Sequence, residues 1–162
     1  DDFEAFQGTH AICMAYSKKT WTLLDHGQED VAEDMRTEFY GTRGSQWMRL
    51  QRKETGETLL FLNHHGPLQV NTGGQCSGEA TAFNILKVIA ERSEASDAKI
   101  MLGDLNNDAG SVMQSKVKER MDRVISNWVD AIFTSCSESL IDSKNLGTGG
   151  SDHNALEATF RL

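Results

Sequence analysis

The sequence has no long hydrophobic run and contains little proline or cysteine. The longest apolar stretches, such as Leu59–Leu62, are far shorter than the about 20 residues that a membrane-spanning helix needs. Proline occurs once, as Pro67, and the 14 glycines show no collagen period. With 38% hydrophobic residues in 162, the chain is typical of one globular domain with a substantial core. We therefore expect a single domain over residues 1–162.

Positive charge is also scarce. The chain has 16 Lys and Arg residues against 24 Asp and Glu residues, a formal net charge of -8. Binding to long nucleic acid of any sequence needs many cations to displace counterions, so the composition argues against that function. It does not exclude a phosphate-bearing substrate that is held through a metal ion. A small phosphorylated molecule or a lipid headgroup fits the charge at least as well.

The three cysteines, Cys13, Cys76 and Cys136, form no CxxC pair. This spacing argues against a zinc ribbon or a thioredoxin-type site. One disulfide is possible, but the sequence does not select its members. The chain opens at Asp1 without an initiator Met, which favours a processed protein of a secreted or organelle-lumen compartment.

Hydrophobic periodicity predicts strands alternating with helices. Strands are predicted at 11–16, 21–24 (returning beside the first), 47–52, 58–62, 99–102, 129–135 and 155–160. One helix is predicted to carry apolar residues 82, 85, 86 and 89 on one face, with Ser77 or Gly78 as its N-cap, and a second helix spans 112–125. Trp21, Trp47 and Trp128 are predicted to pack inside. This order indicates a layered α/β sandwich.

Polar residues that could bind a metal or transfer protons stand at the ends of four predicted strands. They are His64 and His65 after 58–62, Asp104 and Asn106 after 99–102, Asp130 at the start of 129–135, and Asp152 and His153 before 155–160. Rigid strands position such groups and loops expose them, so we expect the set to converge on one rim. Carboxylates suit Mg²⁺ or Mn²⁺, and a histidine can activate water.

Four short motifs carry a family resemblance. They are LNHH at 62–65, GDLN at 103–106, VDAIF at 129–133 and SDH at 151–153. In the same order they resemble the motifs of the endonuclease/exonuclease/phosphatase superfamily, which has the deoxyribonuclease I-like fold. The resemblance runs from about Ala11 to the end of the chain. It implies a four-layer α/β sandwich and hydrolysis of a phosphodiester or phosphomonoester by metal-activated water.

The resemblance also implies roles for Asp152, His153 and Asp130. Asp152 would bind the metal ion, Mg²⁺ or Mn²⁺, with Ca²⁺ also open. His153 would act as a base, or would stabilise the phosphorane together with His65. Asp130 would support His65 or a second metal ion.

The GDLN motif contributes two further roles. Asp104 would orient the attacking water, and Asn106 would hold a phosphate oxygen or the nucleophile. His65 occupies the family's histidine position, so the adjacent His64 is expected to be structural.

Two ligands of the family pattern have no clear counterpart. The resemblance places an Asn and a metal-binding Glu, usually in a Gln-Glu pair, ahead of the segment matched by 11–16, and only ten residues precede that segment. The Gln28-Glu29 pair follows 21–24, so Glu29 is expected to be a solvated carboxylate. We expect either that the chain covers the C-terminal two-thirds of the fold, or that it is a degenerate member serving as a structural or binding subunit of a larger assembly.

Overall fold

The computed structural model describes residues 2–9, 11–35 and 41–162. Those ranges contain ten strands and two α-helices. In chain order they are β1 (Phe3–Gln7), β2 (Cys13–Ser17), β3 (Trp21–Glu33), β4 (Thr42–Arg52), β5 (Thr58–His64), α1 (Ser77–Arg92), β6 (Ala98–Asp104), α2 (Val112–Lys118), β7 (Asp122–Asn127), β8 (Asp130–Thr134), β9 (Leu140–Asn145) and β10 (Leu156–Phe160). None of the helices within these ranges is long and apolar enough to cross a membrane.

Six of these strands form one mixed sheet in the order β3-β4-β5-β6-β8-β7. Strands β5 and β6 are parallel, and the other neighbours are antiparallel. A parallel pair needs a long crossover, which α1 and its flanking loops provide. The interior place of β5 fits the unbroken apolar run at 58–62, because a central strand is buried on both faces.

Both helices pack on one face of this sheet. Helix α1 contributes Ala82, Ile85 and Ile89 to a buried cluster, at the spacing of one helix face. Residues from β3, β4, β5, β6, β8 and α2 also belong to the cluster, among them Val31, Trp47, Leu60, Leu62, Met101, Phe133, Met113 and Val117. Burying a side chain of this kind stabilises the fold by about 1.5–3 kcal/mol.

Two separate hairpins cover parts of the opposite face. The β1–β2 hairpin places Met14 and Tyr16 against Met48 and Leu50 of β4. The β9–β10 hairpin packs on β5, β6 and β8 through Leu156, Ala158 and Phe160. Helices, sheet and hairpins therefore form successive layers, which confirms the predicted α/β class.

The predicted helix at 112–125 is wrong in its second half. Helix α2 ends at Lys118, and the following residues form β7, which pairs with β8. Val117, Met121 and Val124 keep helical spacing along the sequence, so periodicity alone joined the two elements. Pairing of the β-branched Val124 and Ile125 with the sheet overrides that pattern.

The N-terminal hairpin was also predicted incorrectly. Strand β2 pairs with β1, whereas the strand that begins at Trp21 runs on to Glu33 and pairs with β4. Strands β1 and β9 were not predicted, because they are short and half-exposed. Helix α1 begins at Ser77 with Cys76 as its N-cap, which makes no side-chain hydrogen bond.

Candidate active site

Strand alternation brings the polar strand ends to one face of the sheet. Successive side chains of a strand point to opposite faces, so Asp104 shares a face with Ile100, which packs under the β9–β10 hairpin. Asp130 lies directly opposite Asp104 in the β6–β8 register and therefore points the same way. His65 directly follows β5 and continues the alternation of Phe61 on that side. The three strand ends thus meet under the gap between the hairpins.

Two glycines let the ends of β5 and β6 approach closely. The backbone N–H of Gly66 donates to the Asp104 carbonyl at 2.8 Å, and a Cβ atom on Gly66 would lie 1.9 Å from the Leu105 carbonyl oxygen. Gly103 has φ 145°, and a Cβ there would lie 1.9 Å from the His64 carbonyl oxygen. Only glycine fits at such contacts. The loop after β5 is therefore fixed against the end of β6.

Four side chains form the centre of the site, with carboxylates and imidazoles alternating. Nδ1 of His153 lies 2.8 Å from Oδ2 of Asp130, so its N–H donates a hydrogen bond to that carboxylate. Oδ2 of Asp104 lies 3.7 Å from Nε2 of His65 and 3.9 Å from Nδ1 of His153. These two distances exceed hydrogen-bonding range, so the contacts are electrostatic. Asp130 was expected to support His65 or a second metal ion, and that role stays a prediction beside its hydrogen bond with His153.

The pKa values of His153 and Asp130 are both raised. Burial disfavours the charged imidazole, but the hydrogen bond to Asp130 and the nearby carboxylate charges outweigh it and raise the pKa of His153. Burial raises the pKa of Asp130, while the hydrogen bond and charge of His153 oppose that rise. A histidine held near its charged state by a desolvated carboxylate is an arrangement common at catalytic sites.

Asn106 joins the two loops of the site. Its backbone N–H donates to Oδ1 of Asp104 at 2.9 Å, and its carboxamide Nδ2 donates to the Gly66 carbonyl at 2.9 Å. The side chain is almost fully buried. Asn106 thus orients the Asp104 carboxylate through the backbone, and its predicted contact with a phosphate oxygen stays a prediction.

Asp152 precedes His153 in the chain, and its charge contributes to the raised pKa of that histidine. Asp152 is exposed and accepts a hydrogen bond from Ser151 Oγ at 3.4 Å, while the same Ser151 Oγ accepts one from the His153 backbone at 3.1 Å. The metal role assigned to Asp152 stays a prediction.

Two other residues considered from the sequence lie outside the centre. His64 is fully buried, and its Nδ1 lies 2.9 Å from the Gly44 carbonyl, a position that suits the structural role expected of it. Glu29 on β3 forms an ion pair with Arg92 of α1.

Three of the central residues could hold a cation. Asp104, Asp130 and His153 each offer one ligand atom, and these atoms lie within 4.8 Å of one another. Mg²⁺ commonly binds through one or two carboxylates and keeps several waters, and carboxylate and water ligands suit Mn²⁺ as well. The donor set therefore fits a divalent cation.

The site opens into a cavity of about 430 Å³. The loop before β2 borders it through Ala11 and Ile12, and β10 borders it through Leu156. His65, Asp104, Asp130 and His153 all line it. The volume is sufficient for a small organic ligand.

Trp128 is a residue of this region that the sequence did not reveal. It was predicted to pack inside, yet it is 58% exposed and its ring lies 4.8 Å from the His153 ring, centroid to centroid. Its position in the loop two residues before Asp130 was the available signal. Trp47 is buried as predicted. The three cysteines are free.

Comparison with known proteins gives the fold a name. No protein-family model and no curated protein matches the sequence. A Bacteroides vulgatus endonuclease/exonuclease/phosphatase structure matches with a TM-score of 0.78 at 17% identity, over 99% of this chain and 77% of that one. The mannosyl-6-phosphatase of Bacteroides thetaiotaomicron matches with a TM-score of 0.66 at 17% identity, over 91% and 70%.

A third structure comes from a nucleic-acid complex. D. rerio TDP2 with a single-strand DNA product matches with a TM-score of 0.68 at 14% identity, over 99% of this chain and 78% of that one. The chain therefore has the endonuclease/exonuclease/phosphatase fold, a deoxyribonuclease I-like α/β architecture. This confirms the fold that the order of the four motifs implied.

Proposed function

We propose that the protein is a metal-dependent phosphoesterase. The observation that carries this proposal is the convergence of Asp104, Asp130, His65 and His153 at one cavity, with His153 hydrogen-bonded to Asp130. The fold supports it, because solved structures of the same fold include a phosphatase and a protein bound to a DNA product.

The His153–Asp130 pair can move a proton. The carboxylate fixes the imidazole through Nδ1, which leaves Nε2 to act on the reacting groups. A neutral His153 can take a proton from the attacking water, and Asp130 then stabilises the imidazolium that forms, as the carboxylate does in an Asp-His pair of a hydrolase.

Asp104 lies between the two imidazoles and can hold the water. Its Oδ1 accepts the Asn106 backbone N–H, which orients the carboxylate and leaves Oδ2 directed to the histidines. An N–H of the His65 ring can donate to a phosphoryl oxygen and stabilise charge that develops there.

Asp104 and Asp130 would hold the divalent ion through their carboxylates, with the exposed Asp152 as a further candidate ligand, while His153 keeps its Nδ1–H on Asp130 and its Nε2 for the reacting groups. We propose Mg²⁺ or Mn²⁺. When bound, such an ion polarises the phosphoryl oxygens and lowers the pKa of a coordinated water.

The substrate is proposed to be a phosphate ester, either a diester or a monoester. With a net charge of -8, the chain favours a small phosphorylated molecule over a long polyanion.

The direct test is hydrolysis of p-nitrophenyl phosphate and bis(p-nitrophenyl) phosphate with Mg²⁺ or Mn²⁺. We expect metal-dependent turnover that His153→Ala lowers by about 100-fold or more. His26→Ala is the matched control, because His26 is an exposed histidine of β3 outside the site. A folded protein without metal-dependent turnover would contradict the proposal and favour the alternative of a non-catalytic binding subunit.

A further inference from the structure

Trp128 occupies a backbone position where a large side chain is unfavourable. It is the first of the two loop residues, Trp128 and Val129, that join β7 to β8. Its φ is 51°, in the left-handed region that two-residue hairpin loops normally fill with Gly, Asn or Asp. A bulky aromatic residue at such a position is a departure from turn chemistry that points to function.

The solvent exposure of Trp128 is a second unusual feature, independent of its backbone conformation. Trp128 is 58% exposed, whereas its neighbour Val129 is completely buried. Water-exposed indole is unfavourable, because an apolar surface of this size gains free energy when it is covered. The fold therefore keeps a large flat apolar surface in solvent beside the site.

The indole ring is also held in place by the site itself. Its centroid lies 4.8 Å from that of the His153 ring, with the two planes inclined at 49°. Trp128 does not line the cavity, whereas His153 does, so the indole stands at the rim, beyond the histidine. Because His153 both lines the cavity and contacts the indole, a ligand that binds at His153 lies next to this ring.

We propose that Trp128 is the stacking surface for a planar ring of the substrate, and that the substrate is a nucleotide. This inference rests on the proposed phosphoesterase function, because the phosphate must lie at the central cluster for its base to reach the rim.

Two arguments favour a single nucleotide as the substrate. An indole stacks on any nucleobase through its π face. The base is uncharged at neutral pH, so it adds no repulsion against the exposed Asp152 or the net charge of -8, whereas further phosphate groups would.

The test compares two probes that carry the same phosphate and sugar. AMP and ribose 5-phosphate differ by the base alone, and their affinities in Mg²⁺ are measured by NMR titration before turnover. We expect AMP to bind about tenfold more tightly, which is the effect of one stacked base. AMP should also shift the indole Nε1–H signal of Trp128, assigned by its loss in Trp128→Gly, and leave those of Trp21 and Trp47 in place.

Substitutions of Trp128 then measure how much the indole ring contributes to the preference for AMP. Trp128→Gly should abolish the preference for AMP and should fold readily, because glycine suits the positive φ. Trp128→Tyr should retain part of the preference. Phe83→Ala removes another exposed aromatic residue, on the outer side of α1, and should leave the preference unchanged.

The outcomes separate the two proposals. Equal affinity for both probes, including no binding of either, overturns the stacking role, as does a preference that survives in Trp128→Gly. Hydrolysis of other phosphate esters without any preference for AMP leaves the phosphoesterase proposal intact and removes the nucleotide. A preference for AMP without any hydrolysis supports the stacking role of Trp128 and contradicts the phosphoesterase proposal.

Discussion

His153 and Asp130 are 23 residues apart in the chain, and their side chains meet at 2.8 Å across the mouth of the cavity. The hydrogen bond joins the loop before β10 to the first residue of β8. It couples the outer hairpin to the central sheet at the point where we place the chemistry.

Removing the charge of Asp130 should change the titration of its partner. In Asp130→Asn the pKa of His153 should fall, because the amide can still accept a hydrogen bond but carries no negative charge. The imidazole signals in an NMR titration report this directly, without any need for turnover. Asp142→Asn alters a surface carboxylate paired with Lys144 and should leave His153 unchanged. An unaltered His153 titration in Asp130→Asn would show that the pair is not coupled.

The buried His64 should make the protein sensitive to acid. Burial lowers the pKa of His64 from 6.5 to about 4, with the charges of His65 and Arg43 adding to the effect. Between these values the unfolded state binds the proton and the native state does not, so stability falls as the pH drops through this window. At 1.36 kcal/mol per pH unit the full loss is about 3 kcal/mol.

Urea unfolding at pH 7 and pH 4.5 measures this loss. His64→Asn should show a flatter pH dependence than the unaltered protein, and His26→Asn, at an exposed site, should not. An equal loss of stability in the unaltered protein and in His64→Asn would count against the assignment.

Removing one partner of the buried ion pair between Arg43 and Asp34 should strongly destabilise the fold. Both side chains are fully buried, and Nε of Arg43 donates to Oδ1 and Oδ2 of Asp34 at 3.1 Å. Oδ1 of Asp34 also accepts the Leu68 backbone N–H at 2.8 Å. Arg43→Met leaves a buried carboxylate uncompensated and should cost about 3–5 kcal/mol.

Chemical denaturation checks this value against a surface pair. Lys144→Met breaks the exposed pair with Asp142 and should leave the midpoint almost unchanged. Similar midpoints for Arg43→Met and Lys144→Met would refute the argument from burial.

The close approach at Gly66 should be intolerant of any side chain. A Cβ there meets backbone, the Leu105 carbonyl, so the loop has to move, at about 1–3 kcal/mol. Because the same loop follows the β5 strand that leads to His65, Gly66→Ala should also reduce phosphoesterase activity. At Gly110 the nearest atom to an added Cβ is 3.6 Å away, so Gly110→Ala is the matched control. Calorimetric melting and the hydrolysis assay, run on both variants, distinguish the two positions.

Much of the site was predictable because its residues stand at strand ends. Asp104 and Asp130 border strands with strong apolar signals, and strand pairing brings them opposite one another. The partner of Asp130 was not predictable, since His153 comes from a loop whose path depends on the β9–β10 hairpin, and β9 is too polar to be recognised as a strand. Trp128 was misjudged for a related reason: hydrophobicity predicts burial, and only the conformation of the loop shows that this ring faces water.

The direct pairing of Asp104 with Asp130 ties the chemistry to a single alignment of β6 and β8. A slip by one residue would bring Val129 or Ala131 opposite Asp104 and turn the Asp130 carboxylate toward the helices. The same slip would turn Phe133 of β8 away from the helix-side core, so a misaligned molecule would lose core packing together with the proposed centre.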